Sequence, residues 1–531
     1  MTTRRDVVII GGGHNGLAAA AYLARAGLSV EVLERLDTVG GAAVSAQAFA
    51  GIDARLSRYS YLVSLLPQRI IDDLGLSIRL APRRYSSYTP VPGGEGGLLV
   101  DNHDTAATDA SFAAIGARND ADAWRTFYDG TARLARALFP TVTDPLLTRS
   151  EARAAVGDEA LWNSLIEQPV GRTITETFAS DLVRGVAYTD ALIGTFASND
   201  DETLAANRCF LYHVIGGGTG DWNVPVGGMG AVTGELARAA RLAGATLTTG
   251  AEVTALDDDR VVSYRVGDTE HRVAADRVLV GASPRELNRL LAAGRASGAS
   301  GASPVTEPVA EGAQVKVNLL LSRLPRLKDA SVAPDAAFGG TFHINELFSQ
   351  LQSAYDAASA GRIPDPMPAE IYCHSLTDPT ILGPELRAAG AQTLTVFALH
   401  APDRLLTAEN NDRMRDELQA AVLASVNSVL AEPIESVLMT DAAGNPCVET
   451  KTTRDLEEAL RLPGGNIFHG DLAWPWLNDG DDASTAAERW GVATGLEGIY
   501  LCGSGARRGG AVSAIGGHNA AMAVLDERSG T

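Results

Sequence analysis

The spacing in this chain best able to do chemistry is Gly11-x-Gly13-x-x-Gly16 followed by a carboxylate at Glu34. Val7 to Ile10, just ahead of the glycines, is a continuous apolar run suited to a parallel strand buried on both faces. Gly11 permits a tight turn, Gly13 lets backbone N–H groups reach a pyrophosphate, and Gly16 lets the next helix pack closely on the strand. The helix Leu17 to Ala26 stops at Gly27, and a second strand, Leu28 to Leu33, ends in Glu34. That carboxylate can accept hydrogen bonds from a ribose 2′-hydroxyl and would repel a 2′-phosphate. Taken alone, the unit binds either NAD or FAD.

Two further elements select FAD. Gly40-Gly41-Ala42-Ala43 is a small-residue turn whose backbone can run alongside an extended dinucleotide without a Cβ clash. Near the other end, Gly498 to Gly505 reads as a strand entering a glycine turn, and Ala514 to Leu525 reads as a helix. A helix N-terminus there would stabilise negative charge that develops on a reduced flavin. The four cysteines, Cys209, Cys373, Cys447 and Cys502, have no metal-ligand or redox-pair spacing, and none matches a flavin-linking motif, so non-covalent FAD is expected. A second glycine run, Gly216 to Asp221, fails the fingerprint because Asp221 stands where the last glycine should be.

The elements that position these groups belong to a globular chain. It has 531 residues, enough for about three units, with 45% hydrophobic and 21% charged residues and a mean hydropathy of +0.01. Disorder is excluded as the main state. The net charge of −21 disfavours nucleic acid as a partner. Arg4-Arg5 precedes only four apolar residues, too few for an export signal, and no window approaches the roughly 18 apolar residues of a membrane span. A cytoplasmic protein, at most peripheral to a membrane, is expected.

The stretches GGGHNGLAAAAYLARAGLSVEVLER, VGGAAVS, SRYSYLVSLLPQ, PVGGMGAVTGELARAARLAGATLTTGAEV, LPGGNIFHGD and IYLCGSGARRGGAVSAIGGHNAA resemble the phytoene desaturase-like FAD-dependent oxidoreductases. These lie in the amine oxidase and GDP-dissociation-inhibitor superfamily, and the branch most resembled is that of pyridine nucleotide-disulfide oxidoreductase domain-containing protein 2. The likeness runs from about residue 7 to 525. It implies pyrophosphate contacts at Gly11, Gly13, His14, Asn15 and Gly16, ribose contacts at Glu34 and Arg35, and adenine contact at the main chain of Val253. Flavin-side backbone contacts fall on Gly41, Ala42, Ala43, Gly503, Ser504, Ala511 and Val512. Two departures stand out: Ser504, where many relatives carry an acid, and Arg507-Arg508, which either bring an anionic substrate group to the flavin or lie on a solvated loop.

The resemblance also implies an α/β architecture in which a Rossmann-like FAD-binding domain (residues 1–100, 216–300 and 440–531) is interleaved with an α+β substrate domain of antiparallel sheet and helices (101–215 and 301–439). Composition agrees: Ala121 to Ala137 reads as helix, Ala231 to Ala243 as helix, Thr246 to Val253 as strand, and Gln314 to Leu321, Glu370 to Ser375 and Thr393 to His400 as strands. Ala292 to Ser303 reads as a flexible linker.

A flavin takes a hydride at N5, and the protein's part is to orient the substrate and accept a proton. By family position Arg58 and Tyr59 are the first candidates, with packing against cofactor phosphate and a cavity wall as their alternative roles. His213 and Trp222 fall where relatives line the substrate cavity. His518 and His469 are the other titratable groups. The expected activity is dehydrogenation or desaturation of a lipophilic, isoprenoid or polyene-like substrate, with oxygen, a quinone or another carrier taking the electrons. A redox-neutral flavin isomerase and a flavin-free binding protein are the alternatives.

Overall fold

The computed structural model describes residues 3–295 and 305–530. Two seven-stranded sheets organise it. In the first, Thr3–Ile10 lies between Thr269–Val280 and Val30–Leu33, parallel to both. Thr246–Thr248 and Ile499–Leu501 extend the parallel part at either side, and Ala251–Leu256 and Val261–Val266 form an antiparallel flap. Val7, Val8 and Ile9 are fully buried, as a strand covered by helices on both faces must be. His14–Arg25 packs on Met229–Leu242 and Ile515–Ser529, the last bringing the C-terminus back to the first glycine turn.

The second sheet runs in the order Val448–Lys451, Gln314–Leu321, Gln392–Leu399, Ala369–Tyr372, Thr341–Ile344, Tyr85–Pro90, Gly97–Asp101. One pair, Thr341–Ile344 with Tyr85–Pro90, is parallel. One face of this sheet carries Val315, Val317, Phe342, Ile371 and Val396 into an apolar core. The side chains between them necessarily point the other way.

Helices cover that other face. Asp120–Leu138 buries Trp124, Phe127, Thr131, Leu134 and Leu138, the spacing of one helical stripe, with Phe127 against Phe178 and against Phe210 of the helix Ala205–Val214. Its N-terminus is tied down by Asp120, whose carboxylate accepts the Ala179 and Ser180 N–H groups at 2.9 and 2.7 Å.

The structure differs from the sequence expectations in four places, the first being the strand expected over Glu370 to Ser375, which stops at Tyr372 and passes into the helical turn His374–Thr377. Tyr85–Pro90, Gly97–Asp101 and Val448–Lys451 belong to the second sheet, although they fall in segments assigned to the cofactor domain, because Tyr85–Pro90 pairs parallel with Thr341–Ile344, Gly97–Asp101 pairs antiparallel with Tyr85–Pro90, and Val448–Lys451 pairs antiparallel with Gln314–Leu321. The strand expected over Thr246–Val253 is broken at Gly250, which adopts φ +63°. The first residues of the expected linker are helical, since Pro284–Arg295 buries Leu290, Leu291 and Gly294; residues 296–303 of that linker lie outside the described residues.

Candidate active site

One cavity of about 820 Å³ runs from Glu34 and Val253 at one end to Trp124 and Phe397 at the other. Its first half is built by the glycine turn. Gly11 sits at φ +100°, and a Cβ on Gly16 would lie 2.2 Å from the Gly11 carbonyl oxygen, so both are required by the chain itself. Gly13 is different. Its φ is −71°, open to any residue, and a Cβ there would meet nothing nearer than 4.0 Å. The space beside it is left free by the protein and faces the cavity.

Three buried polar atoms on this part of the wall lack a partner among the described residues: His14 Nε2, Asn15 Oδ1 and His469 Nδ1. Burial pushes the pKa of both His14 and His469 down to about 4, so both rings are neutral near pH 7. The imidazole nitrogens of His14 and His469 beside an open glycine cradle fit a dinucleotide pyrophosphate, whose oxygens accept from N–H donors, whereas Asn15 Oδ1 is an acceptor and suits a hydroxyl. Glu34 Oε2 accepts the Gly12 N–H and Oε1 the Leu36 N–H, each at 2.8 Å, which leaves lone pairs on the cavity side for ribose hydroxyls. The Ala251 N–H donates to the Glu34 carbonyl at 2.8 Å and brings Val253 onto the adjoining wall. Gly41, Ala42, Gly503, Ser504, Ala511 and Val512 line the cleft further along.

The second half is the inner face of the second sheet. Lys316, His343, Glu370, Tyr372 and Phe397 alternate with the core residues of their strands and line the cavity. Lys316 Nζ donates to the Ser57 carbonyl at 2.8 Å and lies 5.3 Å from the Tyr61 ring centre. Burial lowers its pKa to about 7. Tyr61 leans on Tyr372, ring centres 4.7 Å apart, and the Tyr372 hydroxyl donates to Glu370 Oε2. Burial, with Glu346 nearby, pushes the Glu370 carboxyl up to about 8. Across the cavity Leu65, Val100, Trp124, Tyr128, Val186, Ile193 and Val214 supply an apolar wall.

The family profile of the NAD(P)-binding Rossmann-like domain matches residues 9–68. An uncharacterized protein of Mycobacterium tuberculosis is 55% identical, covering 98% of this chain and 97% of its own. Pyridine nucleotide-disulfide oxidoreductase domain-containing protein 2 of Mus musculus is 29% identical over 98% of this chain and 93% of its own. Among solved structures, cyclohexylamine oxidase from Brevibacterium oxydans shares the fold with a TM-score of 0.55 at 15% identity, covering 99% of this chain and 100% of that one. The chain belongs to one family with the mycobacterial protein, and it shares the fold of the amine oxidases.

Within this fold the expected site residues divide. Tyr59, His213 and Trp222 line the cavity; His213 stacks on Trp222 at 5.1 Å and its Nδ1–H donates to the Cys209 carbonyl at 3.0 Å. Arg58 does not line it: the guanidinium turns outward to Glu449 Oε1 at 2.6 Å. His518 is also excluded, buried between Tyr22 and Trp490 with Nδ1 2.9 Å from Asn519 Oδ1. Ala43 lies behind the cleft, where its carbonyl accepts the Thr233 hydroxyl at 2.8 Å. Arg507 and Arg508 bring no charge to the cavity, because they bond the carbonyls of Trp476 and of Thr141 and Asp144. Arg35 lines the wall while donating to the Ala459 carbonyl. Lys316, Glu370 and Tyr372 were not among the expected residues.

Glu34 is only 8% exposed, and this strand-end carboxylate also anchors two loop amides. Glu34→Ala is therefore expected both to weaken FAD binding and to lower the melting temperature of the FAD-free protein. Charge-assisted hydrogen bonds of this kind are worth about 1.5–3 kcal/mol each. Fluorescence titration with FAD and thermal unfolding of the apoprotein check the two parts; an unchanged affinity would remove the ribose assignment.

Proposed function

We propose that the protein is an FAD-dependent dehydrogenase or desaturase that oxidises a lipophilic, isoprenoid or polyene-like substrate. The observation that carries this reading is the continuity of the cavity: the dinucleotide cradle opens without a partition onto a chamber walled by Trp124, Tyr128, Val186 and Ile193 on one side and by Lys316 and Tyr61 on the other. FAD supplies hydride acceptance at N5 when bound. Gly13, His14, Asn15, Glu34 and Val253 hold its dinucleotide part; Gly41, Ala42, Ser504, Ala511 and Val512 flank the rest. No cysteine lines the cavity, and all four are buried, which supports non-covalent retention.

The apolar wall binds the substrate and excludes water. Lys316, held by the Ser57 carbonyl, is about half neutral near pH 7 and takes the proton that leaves with the hydride. Tyr61 and Tyr372 form the continuation of that wall towards Glu370. No helix among the described residues is long and apolar enough to cross a membrane.

The test is anaerobic mixing of the FAD-loaded protein with a panel of isoprenoids in micelles and a panel of short primary amines. Bleaching of the oxidised flavin by an isoprenoid is expected; bleaching by amines alone would overturn the reading. NADH and NADPH are expected to leave the flavin oxidised, since the single glycine–helix–acid unit is committed to the FAD adenosine and the net charge of −21 disfavours a polyanionic reductant. Rapid, saturable bleaching by either nucleotide in stopped flow would make the protein a reductase.

A further inference from the structure

We propose that His343, Glu346 and Glu370 bind a divalent transition-metal cation at the sheet end of the cavity. His343 comes from the strand Thr341–Ile344, Glu346 from the turn after it, and Glu370 from the antiparallel neighbour Ala369–Tyr372, whose register places Glu370 directly opposite His343. All three are nearly fully buried, at 3%, 1% and 2% exposure. One ligand atom from each lies within 4.8 Å of the others. His343 Nδ1 is 2.7 Å from Glu346 Oε2 and 3.9 Å from Glu370 Oε1.

Hydrogen bonding within the cluster does not account for it. Glu346 Oε1, on the same carboxylate that meets His343, is buried with no partner among the described residues. A buried carboxylate oxygen left without a donor is costly, and a cation bound by this carboxylate would supply the missing partner. Glu370 Oε1, the oxygen nearer His343, has only the Thr189 hydroxyl at 3.3 Å. A donor set of one nitrogen and two oxygens suits Zn²⁺ or Mn²⁺ and not Mg²⁺, which prefers oxygen alone and keeps its waters.

His343 and Glu370 face the cavity while Glu346 stands behind them. The cation's open coordination position would therefore face the substrate chamber, where an oxygen substituent could bind. The Arg83 guanidinium is engaged by the Trp222 carbonyl and Thr341 hydroxyl, both at 3.0 Å, and does not fill the site.

The experiment uses the full-length protein, stripped with chelator, dialysed against Zn²⁺, Mn²⁺ or Mg²⁺, desalted, and measured for metal and FAD in the same sample. About one Zn²⁺ or Mn²⁺ per chain and no retained Mg²⁺ are expected, with Glu346→Gln lowering metal affinity about tenfold or more at unchanged FAD content. Pulsed electron paramagnetic resonance of the Mn²⁺ form should show nitrogen coupling from His343, a readout that needs no variant. Wild-type protein that retains neither ion, a Glu346→Gln protein that binds as tightly as wild type, or a Mn²⁺ signal without nitrogen coupling would each overturn the site. Because FAD is counted separately, loss of the metal site and loss of the flavin reading are distinguishable.

Discussion

Gly13→Val is expected to fold and to purify without FAD. The two halves of that result come from separate observations. Folding is spared because Gly13 has φ −71° and a Cβ at this position would meet no atom closer than the Gly41 Cα at 4.0 Å. Binding is not spared, because the open space beside Gly13 is part of the cavity wall flanked by the orphaned His14 Nε2 and Asn15 Oδ1. A branched side chain there fills the approach of a pyrophosphate to the helix N-terminus, and FAD affinity should fall at least about a hundredfold, roughly 3 kcal/mol. The contrast is Gly16→Val, whose Cβ would sit 2.2 Å from the Gly11 carbonyl oxygen, so that the turn itself cannot form. Flavin content after gel filtration, read with the circular dichroism melt of each apoprotein, separates the cases. A Gly13→Val protein carrying one FAD per chain would refute the cradle.

This contrast shows why the cofactor half of the site is legible in sequence and the substrate half is not. A glycine turn is a local constraint: the identities at Gly11 and Gly16 report contacts within a few residues, and strand, turn, helix and acid follow one another in order. The substrate half depends on a property no local pattern carries. Lys316 sits between Val315 and Val317, and Glu370 beside Ile371, an alternation that reads equally as a strand with one face in water. Only the helical layer led by Asp120–Leu138 turns that face into a buried wall, and it comes from a segment some 180 residues earlier than Lys316. The same limit explains Arg58 and Tyr59. They are adjacent in sequence, yet Glu449, brought close by the strand Val448–Lys451, draws one outward and leaves the other on the cavity. His518 lies beside the expected flavin turn along the chain, but its helix presents it to Tyr22 and Trp490.

Lys316→Met is expected to retain FAD and lose turnover. The methionine keeps the length of the stem in a fully buried slot, and the site of the dinucleotide is built by other residues. What disappears is the amine, whose pKa burial has lowered to about 7 from an ordinary 10.5. As proton acceptor it must be neutral, so the limiting rate of anaerobic flavin reduction in the wild type should rise with pH through about 7 and then level off. In the methionine variant that inflection should vanish and the plateau fall by roughly 10²–10⁴, the usual contribution of a positioned base. Stability supplies an independent check with a definite sign. Between about pH 7 and 10.5 the unfolded chain holds a proton on this lysine that the folded chain does not, so the lysine makes stability rise with pH across that window, and the full penalty of burying the ammonium is present below it. Lys316→Met should remove this slope from the pH dependence of Tm. A variant with wild-type reduction rates, or one that keeps the inflection near pH 7, would transfer the proton to another group, and Tyr59 and His213 are the cavity residues to examine next.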